Sequence, residues 1–134
     1  MRNILASIAA VSLLAAAAQA ASRQTPEEKL AKALEGREAG KPVDCIYQRD
    51  IRSSRIFDRT AILYELNNGT YYLNRPEGGA SSLSWGDVLV TDTHSPRLCS
   101  IDIVKLYDTH PWMQNGFVNL GKFVPYRKVA SRGQ

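Results

Sequence analysis

The chain is poor in the residues that most often announce chemistry. Its 134 residues include two cysteines, Cys45 and Cys99, and two histidines, His94 and His110. A lone cysteine that would signal a catalytic thiol is missing. The strand-turn-helix setting of a nucleophile elbow is missing too: around Ser81, Ser82 and Ser84, neither Gly79-Ala-Ser-Ser-Leu nor Ser84-Trp-Gly fits it, and loop serines beside glycines usually make turns. No internal repeat or low-complexity tract follows the first twenty residues. The 17 basic and 13 acidic residues nearly balance, and the mild basic excess lies within the ordinary range of a soluble domain.

What is present first is an export address. Arg2 gives a positive start, Ile4 to Ala18 an apolar run, and Ala18-Gln19-Ala20 fits the small-x-small rule, which predicts a signal peptide over residues 1–20 cut between Ala20 and Ala21. That run is too short, and Gln19 to Lys29 too polar, to remain as a membrane span. No cysteine follows the run directly, so a lipid anchor is not expected and the protein is read as periplasmic or secreted. In such a compartment Cys45 and Cys99 should be joined. Closing a loop of about 55 residues stabilises a domain by about 4 kcal/mol on the chain-entropy model.

Thr25-Pro26-Glu27-Glu28 reads as a helix start, with threonine as N-cap, proline in the first turn and two acids beside it. Leu30, Ala33 and Leu34 supply one apolar stripe, and Gly36, Gly40 and Pro42 end the helix, so residues 21–42 form a helical segment or linker. From Val43 the pattern turns to strands. Val43 to Gln48, Arg52 to Phe57, Asp87 to Thr91, Leu98 to Tyr107 and Lys122 to Arg127 are expected strands, and Thr60 to Leu66 with Thr70 to Asn74 is a hairpin turned by Asn67-Asn68-Gly69. The prediction is an all-β domain over 43–128, a small antiparallel barrel or sandwich, with a basic tail over 129–134.

Four pieces in fixed order carry a resemblance: Cys45-Ile-Tyr-Gln-Arg-Asp-Ile51 with Arg52 to Asp58, Tyr72-Leu-Asn74-Arg, Leu98-Cys99-Ser-Ile-Asp102, and Leu120-Gly-Lys-Phe123. Over Val43 to Tyr126 the chain resembles small exported proteobacterial β-rich proteins of unassigned function. Members of that family often carry two further cysteines, at places that correspond here to Ala80 and Val118. Their joint loss implies that those two pair with each other, which leaves Cys45 and Cys99 as the other bond. The resemblance implies no catalytic residues and no cofactor.

Asp92-Thr-His94 and Asp108-Thr-His110 are the one pattern that suggests metal ligands. Each leads toward a proline, Pro96 or Pro111, where an aspartate commonly caps its own backbone and the histidine lies in solvent. Asp44, Asp50, Asp58, Asp87 and Asp102 offer carboxylates whose pairing only a fold can reveal. Arg49, Arg55 and Arg59 share a strand face only if no bulge or turn intervenes, and a solvated face is the expected reading. Phe57, Tyr64, Tyr71 and Tyr72 are expected in the core or in cross-strand pairs; export argues against nucleic acid. Trp85 and Trp112 fall in loop-like stretches and are expected to fold back onto an end of the domain, or else to anchor a partner. The function expected is binding of an unknown envelope protein or ligand, without metal, cofactor or catalysis. The alternative is a small hydrolase or metal-dependent enzyme built on the His94 and His110 segments.

Overall fold

The computed structural model describes residues 23–130. The expected signal peptide over 1–20, its cut between Ala20 and Ala21, and residues 131–134 of the basic tail lie outside that range. Helix α1 spans Pro26–Ala33. Its start is a closed capping box: Thr25 Oγ1 accepts from the Glu28 N–H at 3.2 Å, and Glu28 Oε2 accepts from the Thr25 N–H at 2.8 Å. No helix among the described residues is long and apolar enough to cross a membrane.

Ten strands follow: β1 Arg37–Ala39, β2 Cys45–Tyr47, β3 Ile51–Phe57, β4 Ala61–Leu66, β5 Tyr71–Asn74, β6 Val88–Thr91, β7 Arg97–Cys99, β8 Ile103–Thr109, β9 Trp112–Asn119 and β10 Phe123–Lys128. They pair antiparallel into a five-stranded sheet in the order β1-β10-β5-β4-β3, a three-stranded sheet β6-β8-β9, and a ribbon β2-β7. Among the described residues the protein is mostly β with one α-helix, and no sheet closes on itself.

Strict alternation in β4 organises the core. Ile62, Tyr64 and Leu66 point to one side of the large sheet, where they meet Val104, Leu106 and Val118 of the small sheet and Ile46 and Leu98 of the ribbon. Ala61 and Leu63 point to the other side and pack with Phe57, Leu73 and the helix residue Leu30, which is 1% exposed. The large sheet is therefore covered on both faces, by α1 on one and by the small sheet and ribbon on the other. The apolar stripe of α1 serves as the lid of that second core. Burial pushes the Tyr64 hydroxyl pKa upward.

Three strand expectations are corrected. Leu98 to Tyr107 is two strands, because Asp102 Oδ2 accepts the Cys99 N–H at 2.7 Å and turns the chain at Ser100-Ile101, sending β7 and β8 into different sheets. The stretch from Trp112 is not a loop: Pro111 sits in the turn, and β9 begins immediately after it. Strand pairing also begins before Val43, since Arg37–Ala39 adds to β10. Two pieces of the family-like pattern meet at one point. The buried Asn74 accepts the Gly121 N–H at 2.9 Å and donates to the Gly121 carbonyl at 2.7 Å. A side chain on Gly121 would lie 2.3 Å from the Arg75 carbonyl oxygen, so glycine alone fits.

Candidate functional site

The residues with the most chemical promise are dispersed. His94 and Asp92 are exposed. The Asp108 carboxylate accepts the His110 N–H at 3.2 Å, and the His110 ring sits in solvent with Nδ1 3.0 Å from Thr109 Oγ1. No group of three histidine, cysteine or acidic side chains placed to hold a metal occurs among the described residues. The metal cluster that a metal-dependent enzyme built on His94 and His110 would need is therefore not formed among the described residues. Ser82 packs against Gly116, and the Ser84 carbonyl accepts the Asp87 N–H in a turn. The aspartates are dispersed: Asp44 lies 3.8 Å from Lys122, Asp50 lies 3.8 Å from Arg49, and Asp87 accepts from Asn115 through Oδ1 while its Oδ2 is buried without a partner.

Cys45 and Cys99 are bonded, and they face each other as a register pair across the β2-β7 ribbon. A two-stranded ribbon of three residues per strand is marginal by itself. The bond fixes it, and β2 then runs through a single 3₁₀ turn, Gln48–Asp50, straight into β3. That entry is tied further: the Gln48 N–H donates to Pro96 O, its side-chain amide to Thr93 Oγ1 and Ser95 O, and the Asn67 N–H to Asp50 O.

The far end of β3 is tied as well. Asp58 accepts the Trp85 N–H, and the Arg59 N–H donates to Leu83 O at 3.0 Å, with Arg59 in the left-handed region at φ 55°. These contacts plant the 83–87 loop against the β3-β4 turn. They leave the Trp85 ring outside, 76% exposed, contrary to the expectation that it folds back onto the domain. Between the tied ends β3 is an edge strand, paired only with β4, and its middle residues Arg52 to Arg55 are exposed. Beside it lies a groove of about 680 Å³ floored by Ile56 and Phe57, walled on the helix side by Lys29, Lys32 and Ala33, and rimmed by Trp85.

The electrostatics of the groove are one-sided. Arg52 pairs with Glu65, and Asp58 is engaged by the loop. Arg55, 5.3 Å from the Phe57 ring centroid, and Lys29 and Lys32 have no carboxylate within ion-pair distance among the described residues. A register shift between Ile51 and Ser53, and the turn at Asp58, keep Arg49, Arg55 and Arg59 from forming one face. Phe57 and Tyr64 are core residues as expected, while Tyr71 and Tyr72 are half-buried on β5, with Tyr72 opposite Tyr64.

A second exposed surface is the outer face of the small sheet. Trp112, 60% exposed, stacks on Tyr107 with ring centroids 4.8 Å apart, and Phe117 and Ile103, each 52% exposed, continue the face. The groove was illegible in sequence because its walls come from segments some thirty residues apart; the only hint was Trp85 beside a glycine in a turn-rich stretch. No family model, no curated protein and no solved structure matches this chain.

Proposed function

We propose that the protein is an exported, disulfide-stapled β domain that acts by holding a segment of another protein in the groove between α1 and β3, with no reaction of its own. The groove is the observation that carries this reading. Its volume of about 680 Å³ lies in the range of specific binding sites. An exposed tryptophan held by its backbone at the rim is the kind of anchor on which binding energy concentrates. The ties at both ends of β3 mean that little ordering entropy is lost when the groove is filled. The Cys45–Cys99 bond and the signal-like leader support a periplasmic or secreted setting, where a disulfide persists. Two open sheets sharing one core support a sandwich over a barrel.

Panning a random peptide library displayed on phage against the purified protein tests this. Peptides should be enriched, and their Kd should rise by at least about tenfold in Trp85→Ala, with circular dichroism and melting temperature unchanged because the ring lies outside the core. A library that enriches nothing, or peptides indifferent to Trp85, overturns the reading.

A further inference from the structure

We infer that the groove takes its occupant as an added β-strand of acidic composition, hydrogen-bonded along the outer edge of β3; this rests on the groove being a protein-binding site. Three observations converge on it. The first is main-chain geometry. In an antiparallel pair, alternate residues turn both main-chain polar groups toward the partner, and those between turn theirs away. The Phe57 carbonyl accepts the Thr60 N–H within the turn at 3.0 Å, which sets Phe57 on the β4 side. Arg55 and Ser53 follow the same phase, so Ser54 and Ile56 present their N–H and C=O groups outward. The pairing of β4 agrees with that phase: the Leu66 N–H donates to Thr70 O on the β5 side, which leaves Ala61, Leu63 and Glu65, opposite Phe57, Arg55 and Ser53, to bond toward β3.

The second observation is that this edge is open where natural sheets usually are not. Edge strands are commonly short, capped by proline or covered. β3 is seven residues long and contains no proline, α1 packs on a face of its sheet, and two arginines are the charges that guard it. An extended peptide laid there would complete the ladder with its backbone and send alternate side chains toward Phe57 and Trp85.

The third is charge. Arg55, Lys29 and Lys32 face the same space; of the carboxylates near β3, Asp58 is held by the Trp85 N–H, and Asp87, which lines the space beside Ser54 to Ile56, accepts from Asn115 through Oδ1. Acidic side chains on the incoming strand would be complementary, and basic ones would be repelled. The same charges disfavour a second copy of this chain, because two β3 strands paired edge to edge would draw the Arg55 side chains of both copies into one seam.

The test uses two displayed seven-residue libraries, one with aspartate or glutamate fixed at alternate positions and one with lysine or arginine there. The acidic library should be enriched on the purified protein and the basic one should not. The strongest acidic peptide, synthesised with alternate backbone amides methylated, should lose at least about tenfold in affinity, as should the unmodified peptide on Arg55→Glu. Binding should slow hydrogen exchange at the Ser54 and Ile56 amides by at least about tenfold. Equal enrichment of the two libraries, indifference to methylation, unchanged exchange at those amides, or self-association through β3 in ultracentrifugation would each overturn strand addition. If random peptides still bind in a Trp85-dependent way, the groove stands and only its mode of filling is wrong.

Discussion

At one edge of the five-stranded sheet, β1 spans three residues. The chain around it is sewn down: the Arg37 guanidinium donates to the carbonyls of Gly69 and Tyr126 and lies 3.5 Å from the Tyr71 ring centroid, and Gly40 and Val43 donate onward to Pro125 and Phe123. At the other edge, β3 runs for seven residues, is fastened only at its ends, and leaves its middle open beside a basic groove. One sheet thus closes one edge by shortness and side-chain cover, and keeps the other extended and rigid. Holding both ends of a strand while leaving its ladder free costs stability and invites aggregation. An edge kept this way fits the strand addition proposed above, and the arginines on β3 would restrict what can pair with it.

The contrast depends first on the ribbon that feeds β3. Replacing Cys45 and Cys99 together by alanine should lower unfolding free energy by about 4 kcal/mol, read as a shift in the guanidinium midpoint. It should also speed hydrogen exchange at the start of β3 more than in β1. A loss below about 1 kcal/mol would show that the ribbon holds without its bond. Next comes the helix wall. Leu30→Ala empties the centre of the core between α1 and the large sheet, and about 2 to 5 kcal/mol of destabilisation is expected. That change should loosen the groove while leaving the β1-β10 amides protected until global unfolding. If α1 and β1 lose protection together, the two edges are not independent.

Local signals were readable in advance, and imposed ones were not. The helix start with Thr25 as N-cap and the Asn67-Asn68-Gly69 hairpin are decided within a few residues, and both form as the pattern indicates, with Glu28 closing a capping box besides. Arg37-Glu38-Ala39 carries no strand pattern; it is extended because β10 offers a free edge. β9 hid behind a proline that ends one strand and lets the next begin, and Asp102 hid a corner inside an apolar run. The pairing of Cys45 with Cys99 followed from there being only two cysteines. The groove had no such signature, since α1, β3 and the 83–87 loop each look ordinary until the fold places them together.

The finest control on the groove is the ion pair that steadies the first turn of α1. Arg75, just past β5, holds the Glu27 carboxylate with both terminal nitrogens, at 2.8 and 3.1 Å. This hydrogen-bonded pairing keeps the Glu27 pKa below the usual carboxylate value and raises that of Arg75. Both side chains are more than half exposed, so screening limits the pair to less than about 1 kcal/mol. Because the folded state lowers the Glu27 pKa, its contribution is complete above the unfolded value of about 4.3 and fades as pH falls through the folded value. Glu27→Gln should therefore shift the urea midpoint slightly at about pH 7 and much less at about pH 3. A deficit that persists undiminished in acid would mean that Glu27 serves α1 by packing, and that the helix wall of the groove owes nothing to Arg75.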